Sequence, residues 1–118
     1  MVAKKIKTKA IKRSEYRTYL KKAGEFYDIM FQAKKMEKWN AVGLNAVHCA
    51  ISSSDAMLVF YAGICSASDD HLAVINLLST SIKLSDAKPK CETLRKILVK
   101  ESIIEYENRD FSQKEALE

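Results

Sequence analysis

Between Trp39 and Tyr61 the chain has almost no face suited to water, and this limits its possible folds more than any other feature. Ala41, Val42, Leu44, Ala46, Val47, Ala50, Ile51, Ala56, Leu58, Val59 and Phe60 leave little of a helix circumference polar. A helix of that kind is stable only when neighbours cover it on several sides, so the segment is expected at the centre of a helical cluster. Its many small residues let neighbouring backbones come close. The whole 118-residue sequence holds three Gly and one Pro. A β-sandwich or barrel would need a turn signal every ~8–12 positions. The expected fold class is therefore all-α, in one domain long enough to bury a core without disulfides or a structural metal.

The flanking segments fit that centre. Ser14 and Glu15 open a first helix, in which Tyr16, Tyr19, Leu20, Ala23, Phe26, Tyr27 and Met30 follow helical spacing as far as about Met36. Gly63 ends the central helix, and Ser66 to Asp69 form a polar connection. Ser68 or Asp69 caps a third helix, with Leu72, Ala73, Ile75, Leu77 and Leu78 inside, which ends near Leu84. A polar loop from Ser85 to Lys90 contains the proline. A fourth helix runs from about Lys90 to Asn108, with Leu94, Ile97, Leu98 and Ile104 turned inward and Ile103 at the edge. Ser112 and Glu115 then match the capping box that opens a helix, and the sequence ends at Glu118. The expected architecture over residues 14–118 is an up-and-down antiparallel bundle of four main helices plus a short C-terminal helical stub.

The net charge of +5 belongs to one end of the chain. Residues 1–13 carry Lys4, Lys5, Lys7, Lys9, Lys12 and Arg13 and no acidic residue. Removing these six from the 20 basic residues leaves 14 against 15 acidic ones, a nearly neutral body. The tail reads either as a solvated terminus or as a basic arm that touches RNA, DNA or an acidic protein. No aromatic is interleaved with its lysines, so base stacking is not signalled there. No apolar stretch of ~7–15 residues follows the basic start, so a signal peptide is not expected. The apolar run from Ala56 to Cys65 is about half a membrane span, and no membrane anchor is expected. Cys49, Cys65 and Cys91 are odd in number and lack C-x-x-C spacing, which fits a reducing, cytoplasmic location.

One polar stripe interrupts the central helix. Asn45, His48, Ser52 and Asp55 fall within roughly an 80° arc. The stripe is either a solvent edge or satisfied hydrogen-bond line, or the lining of a ligand cleft or helical dimer interface. A hydrolase triad is excluded by geometry. His48 and Asp55 lie ~10 Å apart along the axis, and a mid-helix backbone offers no free N–H for an oxyanion. His48, Cys49 and His71 supply no pair with metal-ligand spacing on one helical face, so no metal is expected. No glycine-rich phosphate loop appears, and no cofactor is signalled. Glu101 and Glu105, with Arg95, Lys96, Lys100 and Arg109, read as a mixed-charge helix surface with ion pairs worth little each.

A resemblance is carried by Trp39–Asn40, by Asn45–Ala46–Val47–His48–Cys49–Ala50–Ile51 with Asp55–Ala56, and by Asp70–His71 with Leu77–Leu78. Glu105–Tyr106–Glu107–Asn108–Arg109 and Phe111–Ser112 continue it. From about Tyr16 to Glu115 the chain resembles the HEPN (higher eukaryotes and prokaryotes nucleotide-binding) domain. That resemblance implies a bundle of four or five antiparallel helices that commonly forms a homodimer. Some members are metal-independent endoribonuclease toxins restrained by a small nucleotidyltransferase partner, and others bind nucleotides, RNA or proteins without catalysis. The ribonucleases use an arginine followed after four to six residues by a histidine. The only histidines here are His48 and His71, and neither has an Arg at that separation before it. Lys100 with Tyr106 is the nearest echo, and Tyr at neutral pH is a poor general base. No catalytic residue is assigned. The resulting expectation is a non-catalytic binding module for a partner protein such as a nucleotidyltransferase, or for a nucleotide-like ligand. Asn45, His48, Ser52, Asp55, His71 and Tyr106 are its candidate ligand-binding residues. The alternatives are a ribonuclease toxin with a substituted centre, and an RNA-binding module that uses the basic tail.

Overall fold

In the computed structural model the described residues are 7–67, 72–81, 91, 93–97 and 112–117. They are all-α apart from one pair of three-residue strands. The order is β1 (Thr8–Ala10), a 3-10 turn (Arg13–Glu15), α1 (Tyr16–Lys35), α2 (Trp39–Ala62), β2 (Ile64–Ser66) and α3 (Leu72–Ser81). Helical residues at 91 and 93–97 follow, and then α4 (Gln113–Leu117). Of the sequence expectations, His71, Tyr106, Lys4, Lys5 and Lys100 lie outside the described residues. So do the Ser68–Asp69 cap, the Ser85–Lys90 loop and most of the fourth helix. Among the described residues, no helix is long and apolar enough to cross a membrane.

α1 and α2 form an antiparallel hairpin, and the turn between them has unusual chemistry. Glu37 takes a left-handed φ of 56°, in a position where glycine is the usual occupant. The strain is offset by satisfied carbonyls at the end of α1. The Lys38 N–H donates to Ala33 O at 3.0 Å and the Glu37 N–H to Lys34 O at 3.1 Å. α2 ends on a residue better suited to that backbone, Gly63 with φ 65°, whose N–H donates to Val59 O at 3.0 Å.

Gly63 also turns the chain back along its own beginning. β1 and β2 pair antiparallel, with Thr8 opposite Ser66, Lys9 opposite Cys65 and Ala10 opposite Ile64. The ladder is extended at both ends by Ile11 N–H to Gly63 O and Ala67 N–H to Lys7 O, each 2.9 Å. The basic segment is thus fastened to the body from Lys7 onward. At its far side a 3-10 turn intervenes before α1, and Ser14 is not the helix cap. Glu15 holds the N-cap position, with no side-chain cap bond.

The core lies between α2 and α3. Val47 and Leu58 of α2 meet Val74, Ile75, Leu77 and Leu78 of α3, with Cys91 and Leu94 closing the cluster. The helix that was apolar all round touches α1, α3, α4, β2 and the 3-10 turn, the central position its composition requires. Its buried Ser54 is satisfied locally, the hydroxyl donating to Ala50 O at 2.8 Å. The Ser112–Glu115 capping box forms as its spacing demands. The Ser112 N–H donates to Glu115 Oε1 at 3.1 Å and the Glu115 N–H to Ser112 Oγ at 3.2 Å.

α1 departs from expectation. Of the seven residues assigned to its inner face, only Ala23 is fully buried, and Leu20 and Tyr27 are 54% and 50% exposed. Small residues decide the contact. Ala23 and Ala33 permit close approach to α2, which holds the larger side chains to the shoulders of a narrow seam.

Candidate functional site

The polar stripe of α2 faces α1. His48 lies against Phe26 with ring centroids 5.3 Å apart and planes tilted by 32°. These two residues sit at equal distances along the chain from Glu37, the centre of the hairpin turn, as do Asp55 and Tyr19. The antiparallel register therefore delivers the stripe to one side of α1 along its length. Ser52 is buried, while Asn45, His48 and Asp55 are half-buried. The Asn45 amide is used within the helix, donating to Ala41 O at 2.8 Å. Of the residues singled out on α2, His48 and Asp55 are thus placed beside α1.

Asp55 acts electrostatically on Tyr19. Burial first, then Cys65, then the negative charges of Asp55 and Glu15 raise the Tyr19 phenol above its ordinary value of 10.0. The Tyr19 hydroxyl donates to Cys65 Sγ at 4.0 Å, a long contact to a weak acceptor. Because the folded-state value is the higher one, the fold favours the neutral phenol. The linked stability is intact well below pH 10 and is lost as pH rises through that value, where the unfolded chain ionises first. Tyr19→Phe is expected to remove a late component from the tyrosinate absorbance titration. It should also keep its stability to higher pH than the parent. An unchanged titration curve would contradict this placement.

Two features outside the stripe were not legible from residue order. The first is the outer face of α1. Leu20, Gly24, Tyr27 and Phe31 recur at spacings that align them on one side of the helix. Leu20, Tyr27 and Phe31 are 54%, 50% and 41% exposed. The Tyr27 and Phe31 rings meet edge to face at 4.9 Å. A Cβ built on Gly24 would touch nothing within 4 Å, so the middle of this apolar face is open.

The second is an open cleft of about 720 Å³ where the amino-terminal arm meets the start of α1 and the end of α2. It is lined by Arg13, Ser14, Tyr16, Arg17, Phe60 and Tyr61. The rings form a chain of edge contacts, Tyr16 to Phe60 at 5.0 Å and Phe60 to Tyr61 at 4.9 Å. The Arg17 guanidinium lies 5.8 Å from the Tyr16 ring centroid. Of the basic-tail residues, Arg13 lines the cleft, while Lys7, Lys9 and Lys12 are exposed along the arm that leads to it.

The three cysteines are free thiols, with Cys65 and Cys91 buried and Cys49 half-buried. Among the described residues, no three His, Cys, Asp or Glu side chains gather as a metal-ligand set. No family model, curated protein or solved structure matches this chain.

Proposed function

We propose that this chain is a HEPN-like helical binding module, with no catalytic centre of its own, that works as a homodimer through the outer face of α1. The motif residues between Trp39 and Ala56 support the HEPN-like reading, and the α1–α2 hairpin supports the up-and-down bundle that accompanies it. The observation that carries self-association is the run of half-exposed Leu20, Tyr27 and Phe31 around an open Gly24. Such a run costs free energy in water and marks a surface that another chain covers.

The face is complementary to itself. Two copies laid antiparallel about a two-fold axis between Gly24 and Tyr27 set each Tyr27 ring over the other copy's Gly24, with Leu20 against Phe31. The same arrangement brings Lys21 of one copy towards Asp28 of the other, an attractive pairing made twice. In this reading the homodimer is the form that meets a partner protein, a nucleotidyltransferase being the class the resemblance implies. Light scattering at increasing concentration tests the first step. The expected mass is twice the 13.4 kDa of one chain. A monomer mass throughout, up to roughly 100 μM, a concentration at which even a weak complex of ~−8 kcal/mol would form, would reject it.

A further inference from the structure

The amino-terminal arm carries cations but no ring, and the end of α2 carries rings but no cation. Folding joins them. The strand pair β1–β2 and the 3-10 turn set Arg13 beside the last turn of α2, and the first turn of α1 adds Tyr16 and Arg17. Phe60 and Tyr61 remain 47% and 48% exposed there, so two aromatic rings stand in water next to two guanidinium groups. Glu15 is the acidic residue in that turn, and its side chain is not part of the cleft lining.

This combination suits a flat, unpaired π surface attached to a diffuse anion. A nucleobase next to a phosphate has both parts. An acidic peptide offers the anion without the flat ring, and a neutral sugar offers no anion. Base-on-ring stacking needs a base free of its own stack, which a duplex withholds and a single strand supplies. The arm extends the positive charge beyond the cleft. Lys7 and Lys9 share one side of the extended chain, and Lys12 stands between them and Arg13. At roughly 3.3 Å per residue this track runs up to about 20 Å from Arg13 to Lys7, a length that a lone mononucleotide leaves unused.

We propose that the cleft binds single-stranded nucleic acid, with bases on Phe60 and Tyr61, phosphates on Arg13 and Arg17, and the strand continuing along Lys12, Lys9 and Lys7. This goes beyond the dimer reading and does not require it. The sequence alone left a tail that binds by charge as one of two readings. The folded chain adds a stacking platform, and with it a preference for unpaired strands.

The test is fluorescence anisotropy with labelled oligonucleotides of about 12 nucleotides, thymidine and uridine, against a duplex of equal length. The full chain is expected to bind both single strands at least about tenfold more tightly than the duplex. Tyr61→Ala should weaken single-strand binding about tenfold or more, while Tyr61→Phe, which keeps the ring, retains the parent affinity. Arg13→Ala should flatten the log–log salt dependence by about 0.7, and Lys34→Ala, on the last turn of α1, should not weaken binding. Thermal melts confirm that each variant is folded. Three results would overturn the proposal: a folded Tyr61→Ala that binds like the parent, a duplex bound as tightly as the single strands, or uridine monophosphate competing as well per site as the 12-mer. Repeating the titration on Tyr27→Ala/Phe31→Ala separates the two readings, since that variant loses the dimer face and keeps the cleft.

Discussion

Leu58→Ala is expected to lower the free energy of unfolding by about 3–5 kcal/mol. Leu58 is 0% exposed and belongs to the cluster in which α2 meets α3 through Val47, Val74, Ile75, Leu77 and Leu78. Removing its isobutyl end loses the transfer free energy of the deleted groups and leaves a void that helices on both sides are too constrained to fill. For a domain with a typical stability of ~5–15 kcal/mol, that loss consumes a third or more of the whole. The measurement is urea unfolding followed by far-ultraviolet circular dichroism. The neighbouring Met57→Ala is the matched comparison, because Met57 is 40% exposed and its truncation should cost under about 1 kcal/mol. Equal losses at the two positions would mean that α2 is rotated away from the orientation described, and the central placement of the helix would fall with it.

How far the sequence revealed this fold follows from the range of the forces involved. The capping box at Ser112 and Glu115 is a contact between residues one turn apart, so its spacing is sufficient to announce it. α2 was legible for a different reason. A helix apolar on nearly every side has one stable location, and Val47, Leu58 and Val59 are indeed at most 1% exposed. The strand pair was not legible, because Thr8–Ala10 has no strand pattern of its own and pairs only when Gly63 returns Ile64–Ser66 alongside it. The inner face of α1 was half legible. Helical spacing grouped Leu20 and Tyr27 with Ala23, but spacing cannot tell how wide a contact is. The seam with α2 proved narrow enough to leave those two half in water.

The candidate site divides along the same line. Spacing placed Asn45, His48, Ser52 and Asp55 on one stripe, and the hairpin register turns that stripe to α1, with Phe26 and Tyr19 facing His48 and Asp55. The cleft escaped notice because the residues that line it, 13–17 and 60–61, are far apart in sequence and meet only when the helical hairpin closes. One signal was present. Arg13 and Arg17 flank Tyr16 at the start of α1, and an arginine–aromatic–arginine cluster at a helix end is a reason to ask which rings lie nearby.

Tyr27→Asp is expected to weaken self-association at least about a hundredfold and to leave a folded monomer. In the antiparallel arrangement Tyr27 lies close to the two-fold axis, so the substitution sets two new carboxylates within about one helical turn of each other. Like charges placed together in a desolvated seam cost several kcal/mol, and each ~1.4 kcal/mol is tenfold in affinity. In the isolated chain the same change is mild, because the Tyr27 side chain is 50% exposed and leaves no cavity. Gly24→Ala sharpens the test by acting in opposite directions on the two equilibria. A Cβ there meets open space within the chain, so the helix should gain about 0.5–1 kcal/mol from the better helix former. Between copies the added methyl stands where the Tyr27 ring of the other chain packs, so the dimer should weaken. Light scattering read beside thermal melts at low concentration separates these effects. A Tyr27→Asp protein that keeps the dimer mass, or a Gly24→Ala protein that dimerises as well as the parent, would remove the outer face of α1 from the interface.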